Sequence, residues 1–319
     1  MVPLSAWVGF HLALFVFLAL DLGVFHRPGA PLSLRNAALW SVLWVLLALA
    51  FAAGVYRMLG AERGLEFVTG YLIERALSLD NTFVFAVVFS YFAVPAGLQH
   101  RVLFWGILGA LISRGALIAA GAALLARFEW VNLLFGAFVL IAGLRLFFHS
   151  PEKTRVDRNP VLRLARRLLP VTPDYQGSHF LVRGPRSGWM ATPLLLVLLV
   201  VESADVAFAF DSIPAIFSVT RHPFIVYTSN VFAILGLRAS YFLVAALLSR
   251  LRFLGAGLAA ILVFIGAKML AGPWFHLSIQ LSLLIVVLLL AATVATSLLA
   301  PPRPLQPLAP AGDLRKDGS

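Results

Sequence analysis

The sequence predicts an all-α, polytopic membrane protein of about nine transmembrane helices. Three observations predict it. The 319 residues are 61% hydrophobic and only 12% charged, where a soluble domain carries about 25% charged residues. The mean hydropathy is +0.93, and the apolar residues fall in continuous runs rather than the alternating pattern of a membrane barrel. Finally, the runs are long enough to cross a bilayer and are separated by charged loops. The chain has no cysteine and four methionines, which excludes disulfides, thiolate metal sites and thiol redox chemistry and argues against a thioether copper path. The net charge of +11 is carried mainly by loops of one side. It reads as membrane orientation, not nucleic-acid binding.

Taken in order, residues 1–65 hold two spans. The first has no basic flank or cleavage site and reads as a retained helix; it carries His11 and Asp21, both candidates for a proton path. Residues 66–149 form a first three-helix unit. Residues 150–190 form a basic loop, in which PVLRLARRLLP has the pattern of an amphipathic helix lying on the inner leaflet against anionic lipids. Residues 191–272 form a second three-helix unit, 273–300 a last span, and 301–319 a proline-rich tail expected to be disordered. Alternate loops contain Arg27, Arg35, Arg101, the arginines of the 150–190 loop, Arg250, Arg252 and the basic residues of the tail. The opposite loops contain Arg57, Arg63, Arg127 and Arg221. The positive-inside rule then puts the N-terminus outside and the C-terminus in the cytoplasm.

The two units resemble each other. ERALSLDN, beginning at Glu74, matches DVAFAFDS, beginning at Asp205; GILGALISR, ending at Arg114, matches FAILGLRAS, containing Arg238; and Gly143 with Arg145 matches Gly266 with Lys268. A unit with an odd number of spans returns inverted, so an inverted repeat with its site near the midplane is expected. The acids Asp21, Glu74, Asp80, Glu202, Asp205 and Asp211 outnumber the central arginines Arg75, Arg114 and Arg238. Each carboxylate in hydrocarbon costs at least about 2.5–3.5 kcal/mol. A bound divalent cation, with or without a proton, would balance the excess. Six residues turn a helix by about 240°, so Glu74 with Asp80, or Asp205 with Asp211, converge only if the helix unwinds. Pro214 is expected to unwind the second and Asn81 the first. Carboxylates, the Asn81 amide, the Ser212 hydroxyl and freed carbonyls are all oxygen donors, which suit manganese(II), magnesium or calcium without choosing among them.

The strings GYLIERALSLDNTFVFAVVFSYFAVP, VESADVAFAFDSIPAIFSVT, PFIVYTSNVFAILGLR and VFIGAKML resemble the TerC family of integral membrane proteins over about Trp7 to Leu270. The resemblance implies manganese export across the bacterial inner membrane. It assigns Glu74, Asp80, Asn81, Glu202, Asp205, Asp211 and Ser212 to the metal site, with Mn2+ as cargo and no tightly bound cofactor. It also implies that the chain is not an enzyme; an aspartyl dyad of Asp80 and Asp211 would leave the other acids unexplained. The alternative is a membrane scaffold for tellurite or envelope-stress resistance that docks partners on the basic loop. The oligomeric state is not legible.

Overall fold

The computed structural model describes residues 3–25, 34–148, 156, 159–184, 188–247, 253–272, 274–275 and 277–300; residues 20–25, 34, 79, 80, 83, 238 and 244–247 are described by backbone alone. Asp21, Asp80 and Arg238 fall in this last group, so their assigned roles lie outside the described side chains. The tail beyond residue 300 lies outside the described residues too.

The described residues form a bundle of eleven helices: α1 (Leu4–Phe25), α2 (Leu34–Leu59), α3 (Ala61–Tyr91), α4 (Ala96–Arg127), α5 (Val131–Phe148), α6 (Pro160–Leu168), α7 (Pro193–Phe217), α8 (Pro223–Leu235), α9 (Leu237–Leu247), α10 (Leu254–Ala271) and α11 (Ile279–Leu299). They also form an antiparallel hairpin, β1 (Leu181–Arg183) with β2 (Trp189–Ala191). Among the described residues six helices are long and apolar enough to cross a membrane: α2, α4, α5, α7, α10 and α11. α3 is longer than five of them, but its charged residues, Glu62, Arg63, Glu66, Glu74, Arg75 and Asp80, lower its hydropathy. The seventh expected span is divided at Gly236 into α8 and α9.

Helix starts follow local chemistry. Pro193 and Pro223 occupy first turns, where no backbone N–H is needed. Asn159 caps α6 by accepting from the Val161 and Leu162 amides. Pro214 does not unwind α7, which runs through it to Phe217. It costs α7 the one bond that its missing N–H would have made to the Phe210 carbonyl, and three helical residues follow it. Asn81 lies inside a continuous α3. Both expected interruptions are therefore corrected, and the six-residue acid pairs remain turned about 240° apart.

α3 and α7 cross at the centre. α3 also packs on α8 and α10, while α7 packs on α4 and α5; α5 and α10 share the most extensive contact in the molecule. That contact is close because of two glycines. A Cβ on Gly143 would lie 2.7 Å from the Val263 amide, and one on Gly266 would collide with the Leu140 backbone. α1 and α2 join the bundle through an aromatic cluster in which Phe10 meets Phe51 at 5.6 Å and Trp7 meets Tyr227 at 5.7 Å. At the other end of α3, the half-buried Tyr175 hydroxyl donates to the Phe92 carbonyl at 2.8 Å. Burial pushes that phenol up to about 12, which keeps it a donor.

Gly266→Leu should separate α5 from α10 and destabilise the protein by about 1–3 kcal/mol. Gly255→Ala, where a Cβ meets nothing within 4 Å, should be neutral. Thermal unfolding of the detergent-solubilised variants checks this, and equal midpoints for the two would refute the packing role.

Candidate functional site: a buried arginine between two carboxylates

Asp205 is the middle residue of α7, about 18 Å from either end by helical rise. Glu74 and Arg114 sit near the middles of α3 and α4. The three meet. The Arg114 guanidinium donates from Nε and Nη2 to the two Asp205 oxygens, at 3.1 and 2.7 Å. Its Nη1 donates to Glu74 Oε1 and, at 3.4 Å, to Asn230 Oδ1. All four residues are buried, with Arg114 1% and Glu74 0% exposed. The forked grip on Asp205 is the geometry in which a guanidinium binds a carboxylate most strongly. Ser78 adds a bond to Glu74 Oε1 at 3.5 Å.

Several buried polar atoms here have no partner among the described residues: Glu74 Oε2, the Asn230 amide nitrogen, Ser212 Oγ and Tyr71 Oη. Native interiors leave few such atoms, and each calls for an occupant or a function. Glu202 and Asp211 are half-buried on α7. The Glu202 carboxyl lies against Gly109 of α4, where a Cβ would occupy its place. Glu202 and Asp205, three apart, thus both face α4, as their spacing predicts.

Other assigned residues behave differently. Arg75 points inward but donates to the Ala233 carbonyl at 3.2 Å and to Ser240 Oγ. It serves the division between α8 and α9, where Gly236 makes room for it. Asn81 and Ser212 are buried. His11 donates from Nδ1 to the Trp7 carbonyl at 2.8 Å and pairs through Nε2 with the Tyr227 hydroxyl at 3.3 Å, and it stacks on Tyr227. No three histidine, aspartate or glutamate side chains gather into a metal cage among the described residues.

Sequence reading missed Asn230, which lies in the YTSN string but in no acid motif, and Ser78, one turn after Glu74. It also missed a second cluster, at the start of α3. Buried Glu66 receives both Arg63 bonds, at 2.6 and 2.7 Å, and the Thr220 hydroxyl at 2.7 Å. The Thr220 oxygen accepts from the His222 amide. Burial, reinforced by Arg63, holds the His222 imidazole below its ordinary range. A pairing signal, Arg63 three residues before Glu66, was present; the partner across the bundle was not.

The sequence model of the "Integral membrane protein TerC family" matches residues 59–304. A Myxococcus xanthus protein named "Uncharacterized membrane protein STKORF319" is 49% identical over 294 residues, covering 92% of this chain and 92% of the relative. An Escherichia coli (strain K12) protein named "Putative membrane-bound redox modulator Alx" is 45% identical over 297 residues, covering 90% of this chain and 92% of the relative. A Rickettsia felis membrane protein is 35% identical over 294 residues, 92% of this chain and 97% of its own. No solved structure matches the chain.

Removing Arg114 strands two buried carboxylates, which typically costs about 3–5 kcal/mol. Arg114→Gln should sharply lower abundance and thermal stability, and adding Glu74→Gln with Asp205→Asn should recover most of the loss. Failure of the added substitutions to help, in the same melting assay, would show that the guanidinium is not holding these acids.

Proposed function

The chain belongs to the TerC family of integral membrane proteins, and from that premise we propose that it exports a divalent metal cation, manganese(II) first among candidates, through the carboxylate centre. The observation that carries the reading is the buried acid excess. Glu74, Glu202, Asp205 and Asp211 face two described arginines, Arg114 and Arg75, and Arg75 is spent on a carbonyl and a hydroxyl. An unpartnered carboxylate oxygen on Glu74 remains at the centre. A cation there is favoured by charge, and the donors, all oxygen, suit manganese, magnesium or calcium. Arg114 is then the resident counter-ion of Glu74 and Asp205 when cargo is absent. Cargo is drawn first by Glu202, which shares the α4-facing side of α7 with Asp205, and completes its shell as the guanidinium moves off. Asp80, Asn81 and Ser212 belong to the same proposed ligand set.

The helix contacts support an inverted repeat of α3–α5 with α7–α10, which with α1, α2 and α11 accounts for nine spans. α3 meets α8 as α7 meets α4, α3 meets α10 as α7 meets α5, and α5 meets α10 directly. Gly143 against Val263 and Gly266 against Leu140 are reciprocal contacts at a fixed sequence offset, as a two-fold axis requires. Rocking one unit on the other would alternate access to the centre. Loop charge supports an outward N-terminus, an inward C-terminus and a place in the bacterial inner membrane. The redox role in the name of the Escherichia coli relative would need, in this chain, a route without thiols, since the chain has no cysteine; control of a redox-active metal's concentration is such a route. His11 with Tyr227, and Asp21, remain candidates for coupling metal to protons.

Asp211→Asn, Asp80→Asn and Glu202→Gln remove charge at nearly constant volume. Each should raise cytoplasmic manganese severalfold in cells challenged with the metal while membrane abundance stays normal. Glu129→Gln, outside the acid motifs, should match the unmodified protein. The scaffold reading expects the opposite: the acids are dispensable, and replacing the arginines between Arg155 and Arg186 abolishes protection. Cellular manganese as low as in the unmodified protein for all three acid variants would end the export reading.

A further inference from the structure

α1 is attached to the bundle by rings rather than by close packing. Phe10 meets Phe51 at 5.6 Å and Phe17 meets Trp44 at 5.9 Å. A step forward along α1 is thus matched by an equal step back along α2, so the two helices run antiparallel. Among the described residues no helix packs closely along α1. Around the rings the residues facing the gap are small: Gly9, Ala13, Ala50 and Gly54. A Cβ added to Gly9 or Gly54 meets nothing within 4 Å, and Gly9, Ala13 and Ala50 are exposed. The aromatic pairs prop the helices apart over side chains too short to fill the space.

What they leave is a cavity of about 480 Å³, walled by α1 from Pro3 to Phe17, by α2 from Leu47 to Leu59 and by Phe224, Phe232 and Leu235 of α8. Its volume falls within the range of about 300–1,000 Å³ found for small-ligand sites. No lining side chain carries a nitrogen or an oxygen. A water molecule needs about two to four polar partners to stay in a cavity, so water does not fill this one. An empty gap would forfeit dispersion contacts along both helices. Hydrocarbon meets both conditions. By helical rise the α1 wall is about 21 Å long, more than half of the roughly 30 Å hydrocarbon thickness of a bilayer, and so long enough for one acyl chain of one leaflet. Arg57 stands at one end of the gap, in the last turn of α2. It lies one turn beyond Gly54 on the same helix face, is exposed, and has no ion-pair partner among the described residues.

We propose that this groove binds an anionic phospholipid, with one acyl chain between α1 and α2 and the phosphate on Arg57. The site is independent of the export reading. It bears on the ionic centre through α8. Phe232 faces the acyl chain, whereas Asn230, about 200° away around the helix, bonds Arg114 at 3.4 Å. The bound chain braces α8 from the side opposite the guanidinium.

The test uses the full-length protein, purified in detergent, delipidated and mixed with phosphatidylglycerol. Native mass spectrometry should show one phospholipid retained per chain, and the melting temperature should rise by several degrees. Gly54→Leu and Gly9→Leu each put a side chain into the open gap. Each should retain at least tenfold less phosphatidylglycerol. Without lipid, each should melt no lower than the unmodified protein, because the new Cβ meets nothing and leucine favours helix over glycine. Gly255→Leu, on α10 and outside the groove, should keep the lipid. Arg57→Gln should bind phosphatidylglycerol and phosphatidylcholine alike, where the unmodified protein prefers the first severalfold. Undiminished retention by both groove variants, an equal loss in Gly255→Leu, or an unchanged headgroup preference in Arg57→Gln would each overturn the proposal. So would lipid-free melting below that of the unmodified protein in both groove variants, since the gap would then already be closed. A retained mass that is a second copy of the chain, lost in Gly54→Leu, would also overturn it.

Discussion

The structure depends on one guanidinium. Arg114 stands where α3, α4, α7 and α8 meet, and it bonds a side chain from each of the other three. Leucine packing cannot fix such a crossing alone, because helices in lipid gain no hydrophobic driving force from one another. A charge-assisted fork can, because every alternative register leaves an ion unpaired in a medium that punishes it. The surrounding small residues follow from the same need. Gly109 lets the Glu202 carboxyl lie against α4, and Gly236 admits Arg75 at the α8–α9 division. The ionic centre sets the distance between the helices, and the glycines make that distance sterically allowed.

Much of this was legible. Acid spacing and composition gave the helical membrane class. Arg114, one of the central arginines set against the acids, does meet two of them, Glu74 and Asp205. What was not legible came from partners far apart in sequence. Arg75 reads as a counter-ion because arginines in membranes usually are, yet it answers carbonyl and hydroxyl oxygens. Pro214 reads as a breaker, but its position near the end of α7 makes it harmless, and the division falls instead at Gly236, which no proline marks. The amphipathic period of 160–168 gave α6 its helix and its faces. Whether that helix lies on the membrane or stands along α7 turns on one bond between residues 44 apart, and no periodicity carries that.

The two ends of the bundle are held by different means. At the end where α3 starts, Glu66 is held by Arg63 and Thr220, and Thr220 in turn by the His222 backbone, so three segments interlock around a buried charge. Breaking that set strands a carboxylate. At the other end, α6 is held by the Asn159–Ser203 hydrogen bond and by Leu162 and Ala165, which are buried with Val156 in one core cluster. One end is thus held around a charge and the other by neutral and apolar contacts, an asymmetry in what each end shows to an ion.

The same asymmetry bears on how a cation could reach the centre. Glu74, Asp205 and Arg114 together leave a single negative charge, already largely satisfied by the fork, so a divalent ion gains little by approaching that trio directly. Glu202 and Asp211 carry no such partner among the described side chains, and Glu202 lies against Gly109 on the α4 side of α7. An ion arriving there would meet an unshared carboxylate first and add positive charge within a few residues of the guanidinium. Two cations close together in low dielectric repel strongly, which weakens the hold of Arg114 on Asp205 as the ion's own claim on that carboxylate grows. On this account the arginine that fixes the resting crossing also makes it switchable: the interaction that orders the four helices is one that a second cation can replace.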